Sequence, residues 1–303
     1  MNKEKTILGV GSIALDTIET KFGKKNNIIG GSLSYFSISA SKSSFVKIVG
    51  VIGNDFPNSG IKMFKNNNIN IDNLNIVNGN TFRWGGKYSD DFNTRDTLFT
   101  ELGVFESFSP EINDNDRDAP LLFLGNIQPS LQLSVCDMMI NTEYIVTDTM
   151  NLWIDLFPQE LEKVINKSNI LLINHEESEQ LSGIKDIEKA AKYFLEMGPN
   201  IVVIKIGANG SYLAQKKSNS SYIPVFPIKQ VIDPTGAGDT FAGGFLGYLS
   251  KNPNPNFIDA VITGSAMASF CVEGFGLDVL LSASNSDINN RIQYINNKMI
   301  RNQ

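Results

Sequence analysis

The chain has 303 residues, 42% hydrophobic and 19% charged, with a formal net charge of −6. That length suits one large α/β domain or two small ones. The acidic balance argues against a general nucleic-acid binder, which needs a basic face to displace counterions. No apolar run approaches the roughly 20 residues of a membrane span.

Near the start, two lysines precede an apolar run, a faint signal-peptide pattern, but the run ends at Asp16 without a clear cleavage site. Ile7–Val10 (ILGV) therefore reads as a first buried strand. Further short, nearly continuous apolar runs follow at Val46–Gly53, 121–125, 144–148, Ile170–Asn174 and 201–207. Such runs suit strands buried on both faces. Amphipathic stretches such as Ile187–Met197 lie between them and read as helices. Alternating strands and helices predict a mostly parallel sheet with helices on both faces, ligands binding beyond the strands' carboxyl ends. Segment 81–102 breaks this rhythm with alternating aromatic and polar residues around Gly85-Gly86, so it reads as hairpin strands off the main sheet. With 17–22 it would form a small β flap. The Asn-rich stretches 65–80 and 113–118 read as surface turns.

The strongest chemical signal is DPTGAGDTFAGGF at 233–245. Gly236-Ala237-Gly238 has almost no side-chain bulk, and apolar residues at helical spacing follow. Successive N–H groups at a helix N-terminus favour an anion there. Asp239 cannot bind that anion, but it could take a proton from a hydroxyl attacking phosphorus, and a carboxylate at a helix N-terminus is expected to stay ionised at neutral pH, as a base requires. The alternative role is a helix cap. Two cysteines, Cys136 and Cys271, lack metal-ligand partners and fit buried packing in a reducing cytoplasm. The single histidine, His175, is the only residue on which a histidine-based triad could draw. Gly9 to Ala14 (GVGSIA) imitates a dinucleotide fingerprint, but no clear helix follows and no acidic residue ends a second strand.

The 233–245 stretch resembles the C-terminal signature of the PfkB (ribokinase-like) carbohydrate kinase family, through Asp233, Thr235 to Asp239, Phe241 and Gly244. The resemblance implies a ribokinase-like fold over 1–303 as a single domain, with a lid formed by about 15–30 and 78–103. It implies Asp239 as catalytic base and Gly236, Ala237 and Gly238 as an anion hole. Gly30-Gly31 is similar to the family's N-terminal signature, with Tyr35 or a neighbour where an Asn is usual. Asp16 falls where the family grips substrate hydroxyls. Gly53 and Asp55 fall in a G-x-D-x-x-G stretch and read as mainly structural.

Asn174 and Glu177 match the family's N-x-x-E motif, which implies placement of Mg-ATP, with Glu177 reaching Mg²⁺ through water. Lys205, Gly207 and Gly210 resemble a T-x-G-x-x-G segment lying along nucleotide phosphates. Lys205 would contact phosphate or simply end its strand. DTMNLW at 148–153 resembles a D-x-N-x-R element, placing Asn151 at the substrate and Trp153 where arginine is usual. Arg83, Lys87 and Arg95 are candidates for closing over the substrate, and Asp233 is a candidate monovalent-cation site. The expected protein is a cytoplasmic ATP- and Mg²⁺-dependent kinase of a sugar or polyol. A nucleoside kinase and a non-catalytic sugar-binding relative are the alternatives. The aromatic lid would permit a homodimer, and no nucleic-acid or membrane partner is expected.

Overall fold

Along each central strand, successive side chains enter different cores. Ile7 joins one hydrophobic cluster and Leu8 another; the same alternation holds for Leu121 and Leu122, and for Leu172 and Ile173. A period of two with both faces buried explains why these strands read as continuous apolar runs. The computed structural model describes residues 5–301. In chain order the strands are β1 (Ile7–Val10), β2 (Ala14–Thr20), β3 (Gly23–Gly30), β4 (Val46–Gly53), β5 (Ile69–Val77), β6 (Phe82–Tyr88) and β7 (Arg95–Glu101). There follow β8 (Leu121–Leu124), β9 (Tyr144–Thr147), β10 (Ile170–Asn174), β11 (Ile201–Lys205), β12 (Ser211–Gln215) and β13 (Ser218–Ile223).

The main sheet has nine strands in the order β13-β12-β11-β10-β9-β8-β1-β4-β5. The pairs from β5 to β11 are parallel, and β12 and β13 add an antiparallel edge. Helices Ser32–Ser41, Ala237–Lys251 and Phe257–Cys271 cover one face; Pro129–Met138, Pro158–Lys167 and Ile187–Met197 cover the other. On the first face the rings of Phe36 and Phe123 stack at 3.9 Å between centroids, both fully buried. Burial of one such ring contributes about 1.5–3 kcal/mol. Gly9 and Gly11 lie under this layer: a Cβ on Gly9 would stand 2.8 Å from the Phe36 ring, and one on Gly11 3.1 Å from Leu33 Cβ. These glycines serve close helix–sheet packing.

A second sheet of four strands, in the order β3-β2-β6-β7, is built from the segments between β1 and the first helix and between β5 and β8. β2 and β6 run parallel and pair Asp16 with Trp84; β6 and β7 are antiparallel and pair Tyr88 with Arg95.

Two expectations are corrected. Segment 65–80 is no run of turns, because β5 occupies its middle and pairs with β4. Ile69 and Leu74 are buried, Asn70 between them is half-buried, and Asn73 is buried with its amide hydrogen-bonded to Asp116 and Asn113 N. Segment 113–118 is not only surface either. Asp116 is buried, ion-paired with Lys47, and accepts from Asn73 Nδ2 at 2.7 Å. The hairpin of β12 and β13 also went unread, its polar Ser-rich second strand having no apolar alternation. Among the described residues, no helix is long and apolar enough to cross a membrane.

Candidate active site

Parallel pairing brings the carboxyl ends of β8, β9, β10 and β11 to one rim of the sheet. Asn126, Asp148, Asn174 and Lys205 stand there, and Asp148 and Lys205 lie beside Gly238 in the loop that enters helix Ala237–Lys251. In that loop Asp233 is buried. Its Oδ1 accepts from Thr235 N at 2.9 Å and its Oδ2 from Gly276 N at 3.4 Å. These bonds fold the chain into a turn that Gly236 completes at φ +75°. The ring of Tyr35 lies against Gly236, where a Cβ would stand 2.3 Å from it. Ala237 N donates to Pro234 O and Thr240 N to Gly236 O. Among the described residues, the N–H groups of Gly238 and Asp239 have no such backbone acceptor outside the helix, as expected of a first turn. Gly236 is the cap residue and offers no side chain to cap this helix, while the Asp239 carboxylate lies close to its own N–H in the first turn.

Four ionisable groups meet beside this turn. Lys205 Nζ donates to both oxygens of Asp148, at 3.1 and 3.3 Å. Gly238 allows the pair to approach, since a Cβ there would be 3.1 Å from that Nζ and 3.7 Å from Asp148 Oδ2. Burial pushes Asp239 up to about 8; the Asp148 carboxylate adds to this and Lys205 opposes it. Burial and Asp148 likewise push Glu177 to about 7, again against Lys205. Burial alone would lower Lys205, but Asp148 and Glu177 outweigh it and hold the ammonium above its ordinary value. The expectation of an Asp239 ionised by its helix N-terminus is therefore corrected for the ligand-free protein. Desolvation beside two other carboxylates outweighs the helix end.

Asn174 and Glu177 form a reciprocal capping box. Asn174 Oδ1 accepts from Glu177 N at 2.8 Å, and Glu177 Oε2 accepts from Asn174 N at 3.0 Å. The N-x-x-E spacing thus has a local cause, while Glu177 remains buried beside Asp148. Gly207 and Gly210 take φ of +56° and +98° in the turn between β11 and β12. A Cβ on Gly210 would stand 2.2 Å from Ile223 O. Asp148, Glu177 and Asp239 gather their oxygens around one ammonium, and a cation arriving there would favour the ionised forms of the two raised carboxyls. Yet among the described residues no three His, Cys, Asp or Glu side chains come close enough to chelate a metal. That donor set fits hydrated Mg²⁺ shared with phosphate oxygens rather than a bare chelated ion.

Across the loop, Asp16 is buried against Gly30, where a Cβ would stand 1.8 Å from Asp16 Oδ2. Burial pushes Asp16 to about 7, opposed by the Gly31 N–H and reinforced by Asp233. Gly31, at φ +85°, leaves no room for a Cβ beside Ser12 O. Tyr35 Oη is buried without a hydrogen-bond partner, with Cys271, Asp16, Asp233 and Tyr88 around it. Tyr88 Oη pairs with Thr235 Oγ1 at 3.0 Å, joining the second sheet to the glycine loop.

Other expected residues are engaged by different partners. Arg83 is held by Asp55 Oδ2 and Asn27 Oδ1, both at 2.7 Å. Asn151 is exposed and donates to Gln180 Oε1 at 2.6 Å. Lys87 is exposed and paired with Glu19. His175 Nε2 is buried with no partner among the described residues. Sequence reasoning missed Asn126, whose Oδ1 accepts from Trp153 Nε1 at 2.6 Å. Its signal was the Gly-Asn ending the run at β8. It also missed Tyr88 as the contact to Thr235, which no local pattern marks.

A family model described as pfkB family carbohydrate kinase matches residues 127–283. The chain is 26% identical over 251 residues to a cytidine kinase of Thermococcus kodakarensis, covering 80% of this chain and 88% of that protein. It is 30% identical over 191 residues to a ribokinase of Staphylococcus aureus, covering 60% of this chain and 61% of that protein. The crystal structure of Methanocaldococcus jannaschii nucleoside kinase, described as an archaeal member of the ribokinase family, has the same fold. Its TM-score is 0.78 at 23% identity, covering 97% of this chain and all of that one (100%).

Proposed function

The chain belongs to the pfkB family of carbohydrate kinases, and on that premise we propose that it transfers the terminal phosphoryl group of ATP to a hydroxymethyl group of a sugar or related polyol. The observation that carries this reading is Asp239 standing in the first turn of a helix whose N–H groups at 238 and 239 lack acceptors outside that helix. A base for the attacking hydroxyl and donors for the moving anion then occupy one turn. Phosphoryl transfer demands positioning and charge neutralisation more than covalent chemistry.

The roles follow from placement. Asp239 accepts the proton of the acceptor hydroxyl. The turn of Gly236, Ala237 and Gly238 directs its free N–H groups, Gly238's first among them, at the phosphoryl oxygens, while Ala237 N is held by Pro234 O and shapes the turn. Asp16 orients acceptor hydroxyls with its two oxygens, while Gly30 and Gly31 bring backbone close. Glu177 and Asn174 hold the water shell of magnesium, and Lys205, Gly207 and Gly210 flank the nucleotide phosphates. Magnesium, when bound with the nucleotide, supplies charge neutralisation there. The second sheet, roughly 15–30 and 78–103, acts as a lid over a single kinase domain. Exclusion of water by such a lid protects ATP from hydrolysis.

A nucleoside acceptor is the second reading, favoured by the resemblance to a cytidine kinase over 80% of the chain. Mg²⁺-dependent ADP release with a panel of sugars, polyols and nucleosides tests both. Turnover of at least one acceptor, lost in Asp239→Asn, supports the kinase. Binding without turnover by the wild-type protein overturns it in favour of a sensor.

A further inference from the structure

The register of the second sheet sorts its basic residues by face. Alternation along β6 puts Trp84, Gly86 and Tyr88 on the side of Asp16, and Arg83 and Lys87 on the other side. Arg83 and Lys87 are also neutralised, by Asp55 and Glu19. Arg95 differs on both counts. It pairs in register with Tyr88, and its guanidinium lies over the Trp84 ring, 5.1 Å from the centroid. The Trp84 indole is itself fixed from below, since a Cβ on Gly86 would stand 2.0 Å from it. The guanidinium also faces the Tyr88 hydroxyl, which bonds Thr235 one residue before Gly236. Among the described residues, Arg95 has no carboxylate partner within ion-pair distance.

We propose that Arg95 is the lid's anion-binding residue, a guanidinium held ready on Trp84 to engage phosphoryl oxygens at the glycine loop. This rests on the phosphoryl-transfer reading. A stacked guanidinium keeps its planar donor fork and its charge, because an aromatic face orients it without neutralising it. Buried Asp16 and Asp233 lie near one another beside this loop, so any charge they carry repels an entering phosphoryl group, and a cation on the lid offsets it. The tyrosine contact brings that cation to the loop only when the sheet lies over the site. The phosphoryl group belongs either to the nucleotide or to an acceptor that already carries a phosphate.

The test uses Trp153→Phe, which leaves Trp84 as the only one of the chain's two tryptophans. Inorganic phosphate, and separately Mg-ATP, are titrated while Trp84 emission is followed. At least one should produce a saturable change that disappears in Arg95→Met and partly returns in Arg95→Lys. In ADP-release assays Arg95→Met should lower kcat/KM by about ten-fold or more, the scale of a charge-assisted hydrogen bond. A loss in kcat on every acceptor identifies the nucleotide's group, and a rise in KM confined to phosphorylated acceptors identifies theirs. Wild-type kinetic constants in Arg95→Met, or a Trp84 response that is absent or indifferent to the substitution, overturn the proposal. If the wild type phosphorylates nothing, the kinase reading fails, while the phosphate titration still decides whether Arg95 binds the anion.

Discussion

Lys205 Nζ stands 3.1 and 3.3 Å from the two oxygens of Asp148, and the pair packs directly against Gly238, whose added Cβ would lie 3.1 Å from that Nζ. The lysine therefore joins the end of β11 to the end of β9 and to the glycine loop. Both partners are largely buried, with side-chain exposures of 14% and 7%. Removing one partner of a buried pair costs about 3–5 kcal/mol, because the other charge is left uncompensated. Lys205→Met should lower the midpoint of urea unfolding by a corresponding amount, and adding Asp148→Asn should recover part of the loss. If the double variant is as unstable as the sum of the singles, the two side chains are not coupled.

Asp239→Asn should leave the fold intact and reduce turnover by about 10²–10⁴-fold, the usual contribution of a general base. Asparagine keeps the size and removes the proton acceptor. Binding of Mg-ATP, followed by calorimetry, should persist. Wild-type turnover in this variant would remove Asp239 from the chemistry.

The parallel sheet was legible because strands buried on both faces advertise themselves as unbroken apolar runs. β5 was not, since an edge strand can carry half-buried Asn70 and Asn75, and buried Asn73 is tolerated only through its bonds to Asp116 and Asn113, which no local pattern shows. The glycine loop at 236–238 was legible because a helix entry without side chains has a composition of its own. The charge state of Asp239 was not. It depends first on burial in the folded protein and then on Asp148, 91 positions earlier in the chain, arriving beside it in three dimensions. Nor does any local pattern separate Arg83 from Arg95, since their difference is the face each occupies and the carboxylate Asp55 waiting for one of them.

The raised carboxylates give a signed pH dependence. Asp239 moves from an ordinary 3.8 to about 8, while Asp16 and Glu177 move to about 7. Between the ordinary values and these raised ones the folded protein holds more protons than the unfolded chain, so ligand-free stability falls as pH rises through that window. Thermal midpoints measured without nucleotide or Mg²⁺ should decline from acidic pH towards 8, and less steeply in Asp239→Asn. A midpoint that climbs through the same window contradicts the assignment.

Gly236→Ala meets two obstacles at once. Its φ of +75° disfavours any Cβ, and the Tyr35 ring lies 2.3 Å from where that Cβ would stand. The backbone term alone is about 1–2 kcal/mol. The variant should unfold at lower urea concentration and lose turnover, because the N–H groups of 236–238 shift with the strain. Tyr35→Leu combined with Gly236→Ala should restore some stability by relieving contact, though not the backbone cost. Full stability in the single variant would mean that the turn is built otherwise.

Glu177 carries two roles that one substitution can separate. Its Oε2 accepts from Asn174 N at 3.0 Å, a bond that glutamine can also accept. Its charge, buried beside Asp148, has no structural partner of that kind. Glu177→Gln should therefore keep the helix cap and even raise the thermal midpoint, by removing a carboxylate from a crowded cluster. It should increase the Mg²⁺ concentration needed for half-maximal ADP release. Asn174→Ala should do the reverse first, losing about 1 kcal/mol of stability through the cap. If Glu177→Gln leaves the Mg²⁺ requirement unchanged, the N-x-x-E spacing serves the helix alone, and magnesium must find its oxygens elsewhere on the rim.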